Sequence, residues 1–223
     1  MRHVVLDTET TNTDAKGGDR MIEIGAVELV NLRLTGRTFH TFLDPEGRDI
    51  SFDSFKVHGL TKADLENAPR YRDIHDELMS FIDGDVVVIH NAPFDMDFLT
   101  RAAAEFEQTF DVDVVDTIDL ASRRWPGMPV NLDAVLKRLG FVTDIPGLNA
   151  IMQGVPWDRE IKRVDRADQH TALIDCIWLG HGYGHLAGAH QLEFGEENTR
   201  QSRPWPFARQ SLSILPLEID GAC

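Results

Sequence analysis

Five side chains in this sequence have types and spacings that can do chemistry. Asp7 and Glu9 close an apolar run, Val4-Val5-Leu6. Successive strand residues point to opposite faces, so positions 7 and 9 share one, with Cα atoms roughly 6–7 Å apart. Two carboxylates side by side on a core strand repel and lose solvation, and a divalent metal is the natural compensation. A solvent-exposed strand end would leave them merely hydrated. Asp95 follows Val86-Val87-Val88-Ile89 at a strand-to-helix junction, which places it at the carboxyl end of a sheet, where open α/β folds bind ligands. A first-turn helix acid is also favoured by the macrodipole alone, an account that fits Asp97 better than Asp95. His170 and Asp175 stand at the start of the last strong helical pattern. A spacing of five separates them by about 140° on an ideal helix, so they do not share a face. Asp175 then falls on the buried side toward the other acids, and His170 swings over the site from the helix start.

Each signal alone has a bland explanation. Together, four carboxylates can hold two Mg²⁺ or Mn²⁺ ions about 3.5–4 Å apart, the clamp used for in-line phosphoryl displacement. His170 would take the proton from the attacking water, which needs a pKa near neutrality.

The elements that must position these groups read as follows. His3 to Thr8 is a short buried strand, Met21 to Val30 a second, and Thr38 to Leu43 a third, joined through the turn region 31–36. Residues 70–83 fit an amphipathic helix. Asp85 to His90 is a central strand, and Pro93 suits the first turn of a helix running to about Gln108. A strand at 113–116 precedes helical stretches at 117–124 and 131–139, the latter stopped by Gly140. Residues 141–167 are less regular, 168 to about 179 is helical, and 188–211 reads as a polar linker or loosely docked tail. Strands first, then strands alternating with helices, predict an α/β layer fold with a mixed sheet.

Composition bounds the partners. The chain has 223 residues, 42% hydrophobic and 26% charged, enough for one catalytic-sized domain plus a tail. No apolar run approaches the roughly 18 residues of a membrane span. Met1-Arg2-His3 leads straight into the first strand with no room for a signal peptide, and two cysteines exclude a disulfide framework, so a cytoplasmic location is expected. The net charge of −15 leaves little capacity to neutralise many DNA phosphates. If nucleic acid is the substrate, metal ions and a second protein must carry the electrostatics.

The segments VVLDTETT, IEIGAVELVNLRLTGRTFH, FKVHGLT, VVIHNAPFDMDFL and HTALID, in order across roughly residues 1–185, resemble the DEDDh exonuclease superfamily. More narrowly, they resemble the proofreading epsilon subunits of bacterial DNA polymerase III. The resemblance implies an RNase H-like fold with a mixed central sheet flanked by helices, and a two-metal 3′–5′ exonuclease. It implies Asp7, Glu9, Asp95 and Asp175 as metal ligands, Asp7 as the ligand shared by both ions, and His170 as general base. Val57, His58 and Gly59 would line the pocket of the 3′-terminal nucleotide. Asp53 falls where the family has a substrate-facing Glu, one methylene longer, and Asp116 matches a further acid read as structural. The chain departs from the pattern at Asn12 and at Thr171, both often Gly in the family, and in a longer 141–167 loop. No catalytic position is lost.

The resemblance implies removal of mispaired nucleotides from a DNA 3′ end beside a polymerase catalytic subunit. An RNA 3′-exonuclease of the same superfamily and a non-catalytic polymerase adaptor are the competing readings. The expected division is a catalytic domain over 1–187 and an irregular tail over 188–223. Within that tail, Gln210 to Leu217 resembles the short peptides that dock on a sliding clamp, but so loose a match favours Leu212, Ile214 and Leu217 packing back on the domain with Trp205 and Phe207. His181, His185 and His190 offer a second metal site only if the glycines between them permit a helix, and no acid or cysteine completes a ligand set.

Overall fold

The computed structural model describes residues 1–141, 145–158 and 170–194, with backbone alone for 145–146 and 188–194. The strands are β1 (Arg2–Thr10), β2 (Met21–Val30), β3 (Arg33–Phe42), β4 (Val86–Ile89) and β5 (Val114–Asp116). They form one sheet in the order β3-β2-β1-β4-β5. The β1–β2 and β2–β3 pairs are antiparallel, and β1–β4 and β4–β5 are parallel. The sheet is therefore mixed, as expected. Among the described residues seven helices accompany the strands: α1 (Phe52–His58), α2 (Tyr71–Ile82), α3 (Ala92–Ala104), α4 (Thr117–Arg124), α5 (Leu132–Arg138), α6 (Ile145–Met152) and α7 (Ala172–Phe194).

Strand alternation divides the core in two. Val4 and Leu6 of β1 pack with α2 and α3 residues such as Leu78, Ile82, Met96 and Leu99. Val5 faces the opposite way, into a cluster with Leu173, Ile174, Ile177 and Trp178 of α7. Asp7 and Glu9 are in phase with Val5, and Thr8 is in phase with Leu6. Because β1 and β4 run parallel, their carboxyl ends open on the same edge of the sheet, which creates the crevice for a site.

Several elements differ from expectation. Asn31 and Leu32 both take positive φ, 51° and 62°, and make a tight two-residue hairpin turn, so β3 begins at Arg33 rather than Thr38. Helices α1 and α6 occupy stretches with no expected helix, the second inside the segment read as irregular. The largest difference is α7, which runs through Gly180, Gly182 and Gly184 to Phe194, past both the expected stop near Leu179 and residue 187. Those glycines let the helix lie close on its neighbours. A Cβ at Gly184 would sit 2.9 Å from the Leu32 carbonyl oxygen, and one at Gly182 3.0 Å from the Leu136 side chain. Tertiary packing here outweighs the poor helix propensity of glycine.

Candidate active site

Asp7 and Glu9 project from the carboxyl end of β1 toward α7, and Asp175 projects back from the first turn of that helix. The carboxylate oxygens of the three lie within 4.8 Å of one another. Glu9 and Asp175 are 9% and 6% exposed, and Asp7 is half-buried. The close approach that unites them depends on Gly25, which pairs with Asp7 across the β1–β2 ladder. A Cβ on Gly25 would stand 2.4 Å from the Leu173 amide nitrogen, so only glycine lets the start of α7 lie flat on β2 beside the acids.

His170 precedes α7. Its backbone N–H donates to the Val57 carbonyl at 2.9 Å, and its Nδ1 is 2.9 Å from Asp175 Oδ2. The helical angle of about 140° between positions five apart does not apply, because His170 lies outside the helix. Thr171 makes the turn: its hydroxyl accepts from the Ile174 amide and its carbonyl from the Asp175 amide. The chain thereby folds the imidazole onto the aspartate, which the spacing alone did not anticipate.

Asp95 stands apart from the trio. It enters from the α3 side, is 2% exposed, and its Oδ1 accepts from the Thr8 amide at 3.1 Å and the Thr8 hydroxyl at 2.8 Å. Burial pushes its pKa up to about 7, against the lowering effect of the Thr8 hydrogen bonds. The expected four-carboxylate set is thus three clustered oxygen donors with a fourth acid bonded to the strand residue between Asp7 and Glu9.

The donor set fits a hard divalent cation. It offers carboxylate oxygens only, from acids whose ionised forms lose solvation on burial and repel one another. The neighbouring Cys176 thiol does not compete. Burial, and then the charges of Asp7 and Asp95, push its pKa up, and its Sγ lies 3.1 Å from the Gly25 carbonyl oxygen as a hydrogen-bond donor.

Helix α1 spans the flank of the site. Its N-cap, Ser51, donates its amide to the Thr11 carbonyl at 2.8 Å, one end of a tether whose other end is the bond from His170 to Val57. Of the residues expected to face substrate, Val57 is 46% exposed and His58 only 3%. His58 Nδ1 accepts from the Leu60 amide, and burial lowers the ring's pKa against the raising effects of the Thr10 carbonyl and the Glu23 charge. Asp53 is fully on the surface, 2.7 Å from Lys56 Nζ. Asp116 caps α4 through the Ile118 amide and accepts from the Asn91 amide, linking β5 to the start of α3. His181 and His185 pack on the Phe141 ring, at centroid distances of 4.6 and 5.1 Å. Among the described residues they belong to no group able to hold a metal, and the His190 side chain lies outside those residues. The sequence reading missed Thr8, which holds Asp95, and α1 itself, although Ser51 and Gly59 bracket it as N-cap and left-handed C-cap.

A sheet in this order, with acids at the ends of its parallel strands, is the RNase H-like nuclease architecture. Solved structures share it. Exonuclease X in complex with 5′-overhanging duplex DNA aligns with a TM-score of 0.62 at 21% identity, over 84% of this chain and 92% of that one. The nuclease domain of 3′hExo, a DEDDh family member bound to rAMP, also gives 0.62, at 14% identity over 84% and 92%. The Exonuclease (RNase T) family matches residues 4–145. Among curated relatives, the DNA polymerase III subunit epsilon of Rickettsia felis is 37% identical over 199 residues, covering 87% of this chain and 77% of that protein. That of Haemophilus influenzae is 37% identical over 209 residues, covering 90% and 73%. The chain belongs to the exonuclease family and, within it, to the DNA polymerase III epsilon subunits.

Proposed function

We propose that this 3′–5′ exonuclease removes mispaired nucleotides from the 3′ end of DNA as the proofreading subunit of a replicative polymerase. One observation carries the reading: His170 rests on Asp175, whose carboxylate lies within 4.8 Å of those of Asp7 and Glu9. Asp7, Glu9 and Asp175, with Asp95 beside them, would hold Mg²⁺ or Mn²⁺, two ions per site, with Asp7 as the shared ligand. Bound there, the ions lower the pKa of water and offset charge on the phosphoryl oxygens. The chain's own share is positional and acid–base. A His170 tautomer that donates from Nδ1 to Asp175 keeps its Nε2 lone pair for the proton of an attacking water. Val57 and His58 would bound the terminal nucleotide, and Asp53 would reach it from the exposed face of α1.

The charge of −15 accords with an enzyme that handles a few terminal nucleotides and takes its processivity from a polymerase catalytic subunit. Residues 1–187 would form the exonuclease domain, with α7 continuing past that boundary to Phe194, and 188–223 would supply the tail that tethers it in the cytoplasmic complex. Residues 195–223, including the segment 210–217, lie outside the described residues. A clamp contact through Gln210 to Leu217 is the finer form of this tether. A labelled 208–218 peptide should bind the purified clamp, and the absence of binding would eliminate it. No helix among the described residues is long and apolar enough to cross a membrane.

The deciding assay digests a 3′-mispaired DNA primer, a paired primer and a short RNA in parallel, with Mg²⁺ and with chelator. Rapid release from the mispaired primer, abolished by chelator and by Asp7→Asn, is expected. Faster turnover of the RNA would instead make the chain an RNA-trimming enzyme.

A further inference from the structure

Exposed apolar surface is concentrated beside the site. Among the described residues, Phe52 at 74%, Phe55 at 41% and Val57 at 46% are three of the six exposed large hydrophobics, and all three lie on α1. Nothing in folding requires a seven-residue helix to present two phenylalanines to water. Phe52, Phe55 and Lys56 are spaced i, i+3, i+4 and share a face. Lys56 Nζ lies 5.0 Å from the Phe52 ring centroid and 2.7 Å from Asp53 Oδ1. Both ends of this helix are pinned to the catalytic elements, at Thr11 just beyond Glu9 and at His170.

Building on the exonuclease reading, we propose that Phe52, flanked by Phe55 and Lys56, is a stacking ledge for the nucleobase immediately 5′ of the nucleotide being removed, with Lys56 meeting the adjoining backbone phosphate. Single-strand sites combine aromatic faces with nearby cations, and stacking tolerates any base sequence. It also draws nothing from net charge, which suits a chain of −15 that cannot hold DNA by backbone electrostatics alone. The exposed Lys56–Asp53 pair is weak enough to exchange its carboxylate for a phosphate. Continuity with the acid site favours a base over a protein surface as the occupant.

The test is steady-state kinetics of the full chain with Mg²⁺ on two substrates. One is a single-stranded oligodeoxynucleotide. The other is the p-nitrophenyl ester of thymidine 5′-monophosphate, which has no upstream nucleotide. Phe52→Ala should raise KM for the oligonucleotide about 5- to 150-fold, the span of one stacked base, and leave ester hydrolysis unchanged. Phe52→Trp should restore the wild-type KM. An abasic site at the second nucleotide should cost the wild type a similar factor and the Phe52→Ala variant nothing further. Equal losses on both substrates would make Phe52 a structural residue and overturn the ledge. Unchanged oligonucleotide kinetics with weakened polymerase binding would make the face a protein contact and overturn it too. If the wild type turns over neither substrate, the exonuclease reading itself falls.

Discussion

The two faces of β1 treat their acids differently. On the α7 face, Asp7, Glu9 and Asp175 gather like charges within 4.8 Å, with His170 against the last of them. On the α3 face, the single Asp95 is almost wholly buried and receives two hydrogen bonds from Thr8. The first arrangement concentrates acidic side chains at the mouth of a crevice, where a cation would offset their charge. The second holds one carboxylate rigid through neutral donors. Adjacent positions on one strand thus provide an attracting cluster and a fixed neighbour.

Breaking the α7 face should have the larger consequences. His170→Ala should slow hydrolysis by about 10²–10⁴-fold, the worth of one general base, while Mn²⁺ binding followed by calorimetry is retained. Near-normal turnover at neutral pH would remove His170 from the base role. Gly25→Ala should come next. Its methyl would meet the Leu173 amide at 2.4 Å and lift the start of α7, carrying Asp175 with it. A displacement of about 1 Å in a catalytic group can cost about 10²-fold in rate. The overpacking itself should cost about 1–3 kcal/mol in urea unfolding. Full activity in a destabilised Gly25→Ala protein would separate the packing of α7 from the placement of Asp175.

The α3 face should respond through stability. Thr8→Val keeps the shape but removes the hydroxyl donor, leaving the buried Asp95 with less support at a cost of about 1–3 kcal/mol. The loss should be greatest where the carboxylate is ionised, because the Thr8 bonds lower a pKa that burial raises. Asp95 would then titrate higher, so in urea unfolding without metal the stability of the variant should go on falling as the pH rises past about 7, where that of the wild type levels off. In that window the unfolded chain has released the proton that the folded chain still holds. A Thr8→Val protein as stable as the wild type across this range would show that Thr8 does not support Asp95.

Much of the site was legible because strand alternation is strict. The run from Val4 to Glu9 fixed both the strand and the shared face of Asp7 and Glu9. The Val86 to Ile89 run and the proline after it placed Asp95 at a strand-to-helix junction. His170 was harder, since a helical wheel holds only within a helix and α7 begins two residues later. The length of α7 was misjudged for a related reason: glycine propensity is local, whereas Gly182 and Gly184 are set by what faces them on α5 and in the hairpin turn.

The sequence by itself determined the five strands, the helices α2 to α5 and the mixed sheet, and it singled out the candidate acids, because these follow from periodicity and residue type within short windows. Only the tertiary structure decided that three of the acids converge while Asp95 bonds to Thr8, that His170 reaches Asp175, and that α1 turns its phenylalanines to solvent beside them. Those outcomes depend on contacts between residues distant in the chain. Gly25 against Leu173 and Val57 against His170 are such contacts, and no local pattern encodes their separation in space.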